Sequence, residues 1–215
     1  MAVVTISRQY GSGGDEIARM VCDRLGYRYF DKDLMTTLCD PAKLSCDDIS
    51  DLTEDTHRVQ SRIERFFDDY PMDIAEIINR QLQAPGERRS PEVSFEQVES
   101  LMNTAYERGN VVVVGRGGQV ILHDKPGVLH VRVEAPLEAR IARVQQAEGL
   151  DAAVARERLE ERDRAAVDYV QRFCHVDPAD PHLYDLVIST RAVAPDVAAD
   201  LIGRAAGALA ATAGA

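Results

Sequence analysis

Short apolar runs alternate with long amphipathic tracts along the chain. "AVVTI" (Ala2 to Ile6) is rich in β-branched residues and lacks polar alternation, which predicts a buried strand. A glycine-dense turn follows, and Ile17, Ala18, Val21 and Leu25 then recur at helical spacing, so strand, loop and helix come in that order. "YRYFD" (Tyr27 to Asp31) predicts a second short strand. From about residue 41 to 90 the text becomes Asp-rich, with charge alternating along helical segments up to the turn "APGERRS", and predicts a helical insertion. Ser94 and Gln97 form a capping box that opens a helix running to about Arg108, where Gly109 ends it. Four valines in a row, Val111 to Val114, suit a parallel strand covered on both faces. "VLHVRVE" (Val128 to Glu134) predicts the next strand, and Pro136 starts a helical tract that breaks near Gly149 and resumes from Asp151 to about Arg172. "LYDLVIST" (Leu183 to Thr190) reads as a fifth strand, and an Ala-rich helix from Asp196 to about Ala210 follows. Five strands separated by helices predict a doubly wound α/β domain with a parallel sheet. Residues 1–40 and 91–215 form its core.

Composition limits what such a domain can do. A chain of 215 residues with 45% hydrophobic content can bury one good core. Its formal net charge of −11 excludes non-specific affinity for nucleic acid or anionic membrane, so any phosphate site must be locally basic. The four cysteines show no CxxC pair and no histidines at zinc spacing, and read as reduced, mostly buried thiols. The first apolar run is short and lacks a basic leader, and no stretch approaches the roughly 20 apolar residues of a membrane span. A cytoplasmic protein is expected.

The turn after the first strand carries the chemistry. Laid on the phosphate-loop pattern G-x-x-x-x-G-K-[ST], "RQYGSGGD" puts Arg8 on the first glycine, Gly13 on the second, Gly14 on the lysine and Asp15 on the hydroxyl residue. Such loops bind phosphate mainly with backbone N–H groups and the positive end of the following helix, a capacity that Gly11, Ser12, Gly13 and Gly14 retain. What is missing is the lysine's charge and the hydroxyl that holds magnesium. Arg8 and Arg19 are the nearest replacements for the charge, Asp15 favours a metal over a bare phosphate, and Gly14→Lys is expected to tighten ATP.

"ISRQYGSGG", "YRYFDKDLM", "VVVVGRGGQVIL", "ERDRAAVDYVQRF" and "DPHLYDLVIST" together resemble the cytidylate kinase-like family, a branch of the P-loop nucleoside monophosphate kinases, over about residues 3–190. That family commonly carries G-S-G-G where orthodox cytidylate kinases have G-S-G-K, so the missing lysine belongs to the resemblance. Asp15 departs from it, since relatives more often have a basic residue or histidine there. The resemblance implies a P-loop three-layer fold, and a nucleotide or small phosphorylated substrate as partner. It also implies phosphoryl transfer from ATP with Mg2+ to a monophosphate or small-metabolite acceptor. Gly11, Ser12, Gly13, Gly14 and Asp15 then bind the donor phosphates with Arg8 beside them, while Asp31, Lys32, Arg116 and Gly117 serve the acceptor. Arg158, Arg162 and Arg164 belong to an Arg-rich lid of about residues 150–182, and the insertion at 41–90 takes the place of the NMP-binding domain. Arginines suit such work because a planar fork holds two phosphate oxygens at once.

Plainer readings stand beside these. Arg164, flanked by Glu160 and Asp168 at helical spacing, also reads as a solvated ion ladder. Arg158 and Arg162 share a helix face and repel unless an anion lies between them. Arg116, between glycines after a buried strand, stands where open α/β sheets bind ligands. His57, His123, His130, His175 and His182 show no ligand spacing, and Asp177, Asp180 and Asp185 read as polar turn rather than metal site. Two rival functions remain: a catalytically weak nucleotide or phosphate sensor, and a dinucleotide-binding oxidoreductase using Gly115-x-Gly117 and Glu134. The latter has little room for a crossover helix before Pro126.

Overall fold

The computed structural model describes residues 2–32, 34–35 and 95–212. The insertion expected at 41–90, Asp33 and the Ser94 cap lie outside the described residues. Strands β1 (Val3–Arg8), β2 (Arg28–Phe30), β3 (Val111–Val114), β4 (Val128–Glu134) and β5 (Leu186–Ser189) form one sheet in the order β2-β3-β1-β4-β5. Every pairing in it is parallel. Helices α1 (Gly14–Leu25), α2 (Phe95–Arg108), α3 (Gly118–Ile121), α4 (Leu137–Glu148), α5 (Ala152–Cys174) and α6 (Pro195–Thr212) supply the outer layers. The expected three-layer α/β architecture with five parallel strands is what forms.

The run of valines shows why. β3 lies inside the sheet, between β2 and β1. Val111 and Val113 pack with Phe30, Leu34 and Met102 on one face, whereas Val112 and Val114 pack with Ile6, Ile17 and Ile202 on the other. A strand buried on both faces has no place for a polar alternate. α2 and α3 cover the first face, and α1 and α6 the second.

The break near Gly149 is sharp: Gly149 ends α4 in the left-handed region at φ 67°, and the Asp151 carboxylate accepts the Val154 N–H at 2.9 Å to start α5. The fifth strand is shorter than Leu183 to Thr190. Pro181–Leu183 form a 3-10 turn capped by Asp180, and Asp185 meets His130 twice, its N–H donating to the His130 carbonyl at 2.8 Å and its carboxylate accepting the His130 N–H at 2.8 Å.

One polar pair lies inside the sheet. Thr5 and His130 are partners across β1 and β4, with Thr5 Oγ1 2.8 Å from His130 Nδ1. Burial pulls the imidazole pKa down, against a smaller opposing pull from Asp185. A depressed folded pKa means that the unfolded chain binds the proton more readily, so this stabilisation is present above the unfolded value of about 6.5 and is lost as pH falls through the folded one. Melting temperature should therefore drop between pH 7 and 5, and His130→Gln should flatten that slope. An equal slope in the variant assigns the dependence to other groups.

Candidate phosphotransfer site

The loop from Gln9 to Gly14 is held from behind. The Ser12 N–H closes a turn on the Gln9 carbonyl at 3.1 Å, and Gly13, at φ 83°, caps α1 with no side-chain hydrogen bond. The first helical bond runs from the Ile17 N–H to the Gly13 carbonyl, so the N–H groups of Gly14, Asp15 and Glu16 lie ahead of it. On the back, Arg143 of α4 donates to the carbonyls of Gly11 (3.3 Å) and Ser12 (3.2 Å) and to both the hydroxyl and the carbonyl of Thr190. The Thr190 hydroxyl in turn donates to the Ser12 carbonyl at 2.7 Å. The Asp163 carboxylate of α5 accepts the Tyr10 N–H at 3.2 Å, and buried Arg140 bridges Asp163 and the Tyr10 carbonyl. Ser12 is fully buried, and its hydroxyl has no hydrogen-bond partner among the described residues.

Arg8 lies across this loop. Its Nε donates to Asp15 Oδ1 at 2.9 Å. Its stem covers Gly14: a Cβ added there would stand 2.5 Å from the Arg8 Cβ and 2.8 Å from its Cγ. A lysine stem at position 14 would therefore meet Arg8, so the expectation that Gly14→Lys tightens ATP requires Arg8 to move. Arg19 lies elsewhere, exposed on α1 with its guanidinium 5.4 Å from the Tyr29 ring centre. The Tyr29 hydroxyl is pushed well above its ordinary range by burial first and then by Asp15 and Asp31, with Arg19 and Arg8 opposing.

On the neighbouring strand, Gly115, Arg116 and Gly117 take φ of 76°, 53° and 75°, three left-handed residues in succession. For arginine this conformation costs roughly 1–2 kcal/mol. The guanidinium of Arg116 lies 4.7 Å from the Tyr169 ring centre, so an aromatic face of α5 holds it. A Cβ at Gly117 would stand 2.8 Å from Cys174 Sγ, which places the end of α5 directly on this turn. Asp31 is buried and has a structural task, its carboxylate accepting the Leu34 N–H at 3.1 Å, and Lys32 is exposed.

The three arginines expected on a lid divide. Arg158 pairs with Glu148, the Tyr10 hydroxyl donates to the same carboxylate, and Arg162 lies 5.5 Å from the Tyr10 ring centre. The Glu148 pKa is held below the usual carboxylate range, first by the Tyr10 hydroxyl and also by Arg158, against desolvation. The anion expected between Arg158 and Arg162 is thus the chain's own. Arg164 is exposed and, two residues beyond Arg162, projects from the opposite side of α5.

Asp177 and Asp180 accept the N–H groups of Ala179 and His182, as polar turns do, and no group of three or more metal-binding side chains occurs among the described residues. The oxidoreductase alternative meets a four-residue α3 where a crossover helix is required. The sequence reading missed Arg143, Thr190, Asp163, Arg140 and Glu148. Arg140 alone left a mark, a charge on the apolar stripe Leu137, Arg140, Ile141 and Val144.

A family model described as cytidylate kinase-like matches residues 3–192. A cytidylate kinase of Methanopyrus kandleri is 33% identical over 109 residues, covering 47% of this chain and 56% of that enzyme, so the match spans little more than half of that relative. A cytidylate kinase of Halobacterium salinarum is 21% identical over 201 residues, 93% of this chain and 86% of that one. Among solved structures, an uncharacterized protein from Eubacterium ventriosum superposes with a TM-score of 0.63 at 18% identity, covering 96% of this chain and 99% of that one. No helix among the described residues is long and apolar enough to cross a membrane.

Arg143→Met removes the donors behind the loop and should destabilise the fold by about 1–3 kcal/mol, the cost of leaving buried carbonyls unpaired. Thr190→Val should cost less, and the double variant should depart from additivity because both residues serve the Ser12 carbonyl. Urea midpoints measure all three. An unchanged midpoint for Arg143→Met would mean that water serves those carbonyls as well.

Proposed function

The chain belongs to the cytidylate kinase-like family, and on that premise we propose that it is a phosphotransferase, moving a phosphoryl group from ATP to a nucleoside monophosphate or a small phosphorylated metabolite. One observation carries the reading. The donor loop after β1 and the arginine turn after β3 meet at the carboxyl ends of two adjacent parallel strands. β1 is also where the sheet order reverses, with β3 on one side and β4 on the other, and open α/β sheets bind their ligands at such a point. The Arg8 guanidinium joins the two turns, one terminal nitrogen falling 2.6 Å from where a Cβ on Gly115 would stand.

Phosphoryl transfer asks the protein for position and positive charge more than for covalent chemistry. The loop fits phosphate: its carbonyls are bound behind, its N–H groups lead the helix, and the buried Ser12 hydroxyl has no partner among the described residues. The N–H groups of Gly14 and Asp15 orient the donor phosphates, and Arg116 holds the acceptor phosphate through its fork. Mg2+ entering with ATP would shield phosphate charge and take its ligands from phosphate oxygens and water, with Asp15 as the loop's own carboxylate. Arg158 and Arg162 become available to phosphate when they leave Glu148 and Tyr10, which is the task of a lid. The engagement of both by Glu148 and Tyr10 also favours a second reading, a nucleotide-binding sensor that turns over slowly or not at all.

A panel of nucleoside monophosphates and small metabolites, incubated with labelled ATP and Mg2+ and resolved by product separation, tests the proposal. Label should pass to an acceptor. Tight ATP binding with no labelled product anywhere in the panel favours the sensor. Arg116→Ala should lower kcat/KM for the acceptor by about 30- to 1000-fold, the loss of a bidentate charge-assisted contact, with little change in melting temperature. Arg116→Lys should recover part of it, since the charge remains and the fork does not.

A further inference from the structure

A loop that lacks its lysine has two ways to manage a triphosphate: do without the charge or bring it from another residue. The two loop positions that depart most in size from the pattern are Arg8, where a glycine is usual, and Gly14, where the lysine is usual. They are in contact, the Arg8 Cβ and Cγ lying 2.5 Å and 2.8 Å from a Cβ added to Gly14. A side chain on either residue excludes one on the other.

We infer that positions 8 and 14 have exchanged tasks, so that Arg8 supplies from the end of β1 the phosphate-gripping cation that a lysine supplies from the head of α1. Gly14 is glycine because the arginine stem passes over it. Three further features support the exchange. Asp15 binds Arg8 only through Nε, so the terminal nitrogens are not spent on that pair. The side chain is 32% exposed, reachable from solvent at the loop. One terminal nitrogen reaches Gly115, on the turn that carries Arg116, so the charge lies between the donor loop and the acceptor turn. The Cβ missing from Gly115 is what leaves room for it.

The inference rests on the phosphotransferase reading for its catalytic half. In transfer, an acceptor oxygen bonds to the γ-phosphorus as the bond from that phosphorus to the β–γ bridging oxygen breaks, and the electron pair leaves with ADP. Arg8 offsets the charge that spreads over those oxygens, and its fork can hold two of them. For its binding half the inference needs only a triphosphate.

Four variants of the full chain, R8A, R8K, G14K and R8G/G14K, separate the possibilities when each is assayed for melting temperature, for calorimetric binding of ATP, tripolyphosphate and adenosine, and for turnover. R8A should weaken ATP and tripolyphosphate by about 10- to 100-fold while leaving adenosine unchanged. R8K should fall between R8A and the parent chain. G14K alone should melt earlier and gain no affinity, because its stem meets Arg8. The double variant, which restores glycine at 8 and lysine at 14, should recover both stability and triphosphate binding. Should R8A fail to fold, the double variant decides on its own. The exchange is overturned if R8A binds tripolyphosphate like the parent chain, or if R8G/G14K is no better than G14K in both respects. A parent chain that binds triphosphate through Arg8 yet labels no acceptor sinks the kinase reading and leaves the exchange intact. Unchanged turnover in R8A does the reverse.

Discussion

A peptide group carries its donor and its acceptor on opposite sides, so a loop can offer its N–H groups to an anion only if something takes the carbonyls behind it. The site depends on that constraint. Arg143 and Thr190 take the carbonyls of Gly11 and Ser12, and Arg140 that of Tyr10. Cations serve this purpose well, because they donate to carbonyls and also add positive potential close to the phosphate site. In a chain of net charge −11, that local concentration of arginine makes this end of the sheet locally basic.

Each arginine near the site is restrained by a different chemistry, and the difference bears on its use. Arg140 and Arg143 are committed to backbone and Asp163, as befits structural parts. Arg8 is held through Nε alone, and Arg116 by an aromatic face, which fixes direction without neutralising charge. Arg158 is paired with an exposed carboxylate, a contact of the kind that contributes little to stability and is easily exchanged for phosphate. The commitment of charge to partners thus falls from the back of the loop, at Arg140 and Arg143, to the exposed Arg158 pair on α5.

Much of the fold was legible because burial leaves a mark on sequence. The unbroken "VVVV", the glycine at 149 and the helical spacing after Gly14 each state a local requirement that only one kind of element meets. Arg116 was legible for the same reason, as a charge between glycines at the end of a buried strand. Its partner was not, since the structure supplies Tyr169 from a helix far along the chain. Arg143 and Gly11 are 132 positions apart, and no periodicity in an Arg/Glu-rich tract distinguishes an arginine that faces a loop from one that faces water. The meaning of Gly14 was likewise hidden, since a glycine records that space is needed but not which side chain takes it.

Helix α5 draws these parts together. Asp163 holds the Tyr10 N–H at the donor loop, Arg162 lies on the Tyr10 ring, and eleven residues beyond Asp163, at about 1.5 Å of rise each, Cys174 packs on the acceptor turn. Tyr169, between them, carries Arg116. One continuous helix therefore touches both the loop after β1 and the turn after β3. Within the left-handed triplet at 115–117 only Arg116 is strained, and its glycine neighbours are crowded by Arg8 on one side and by the C-terminal end of α5 on the other. A displacement of α5 would therefore act on both turns together.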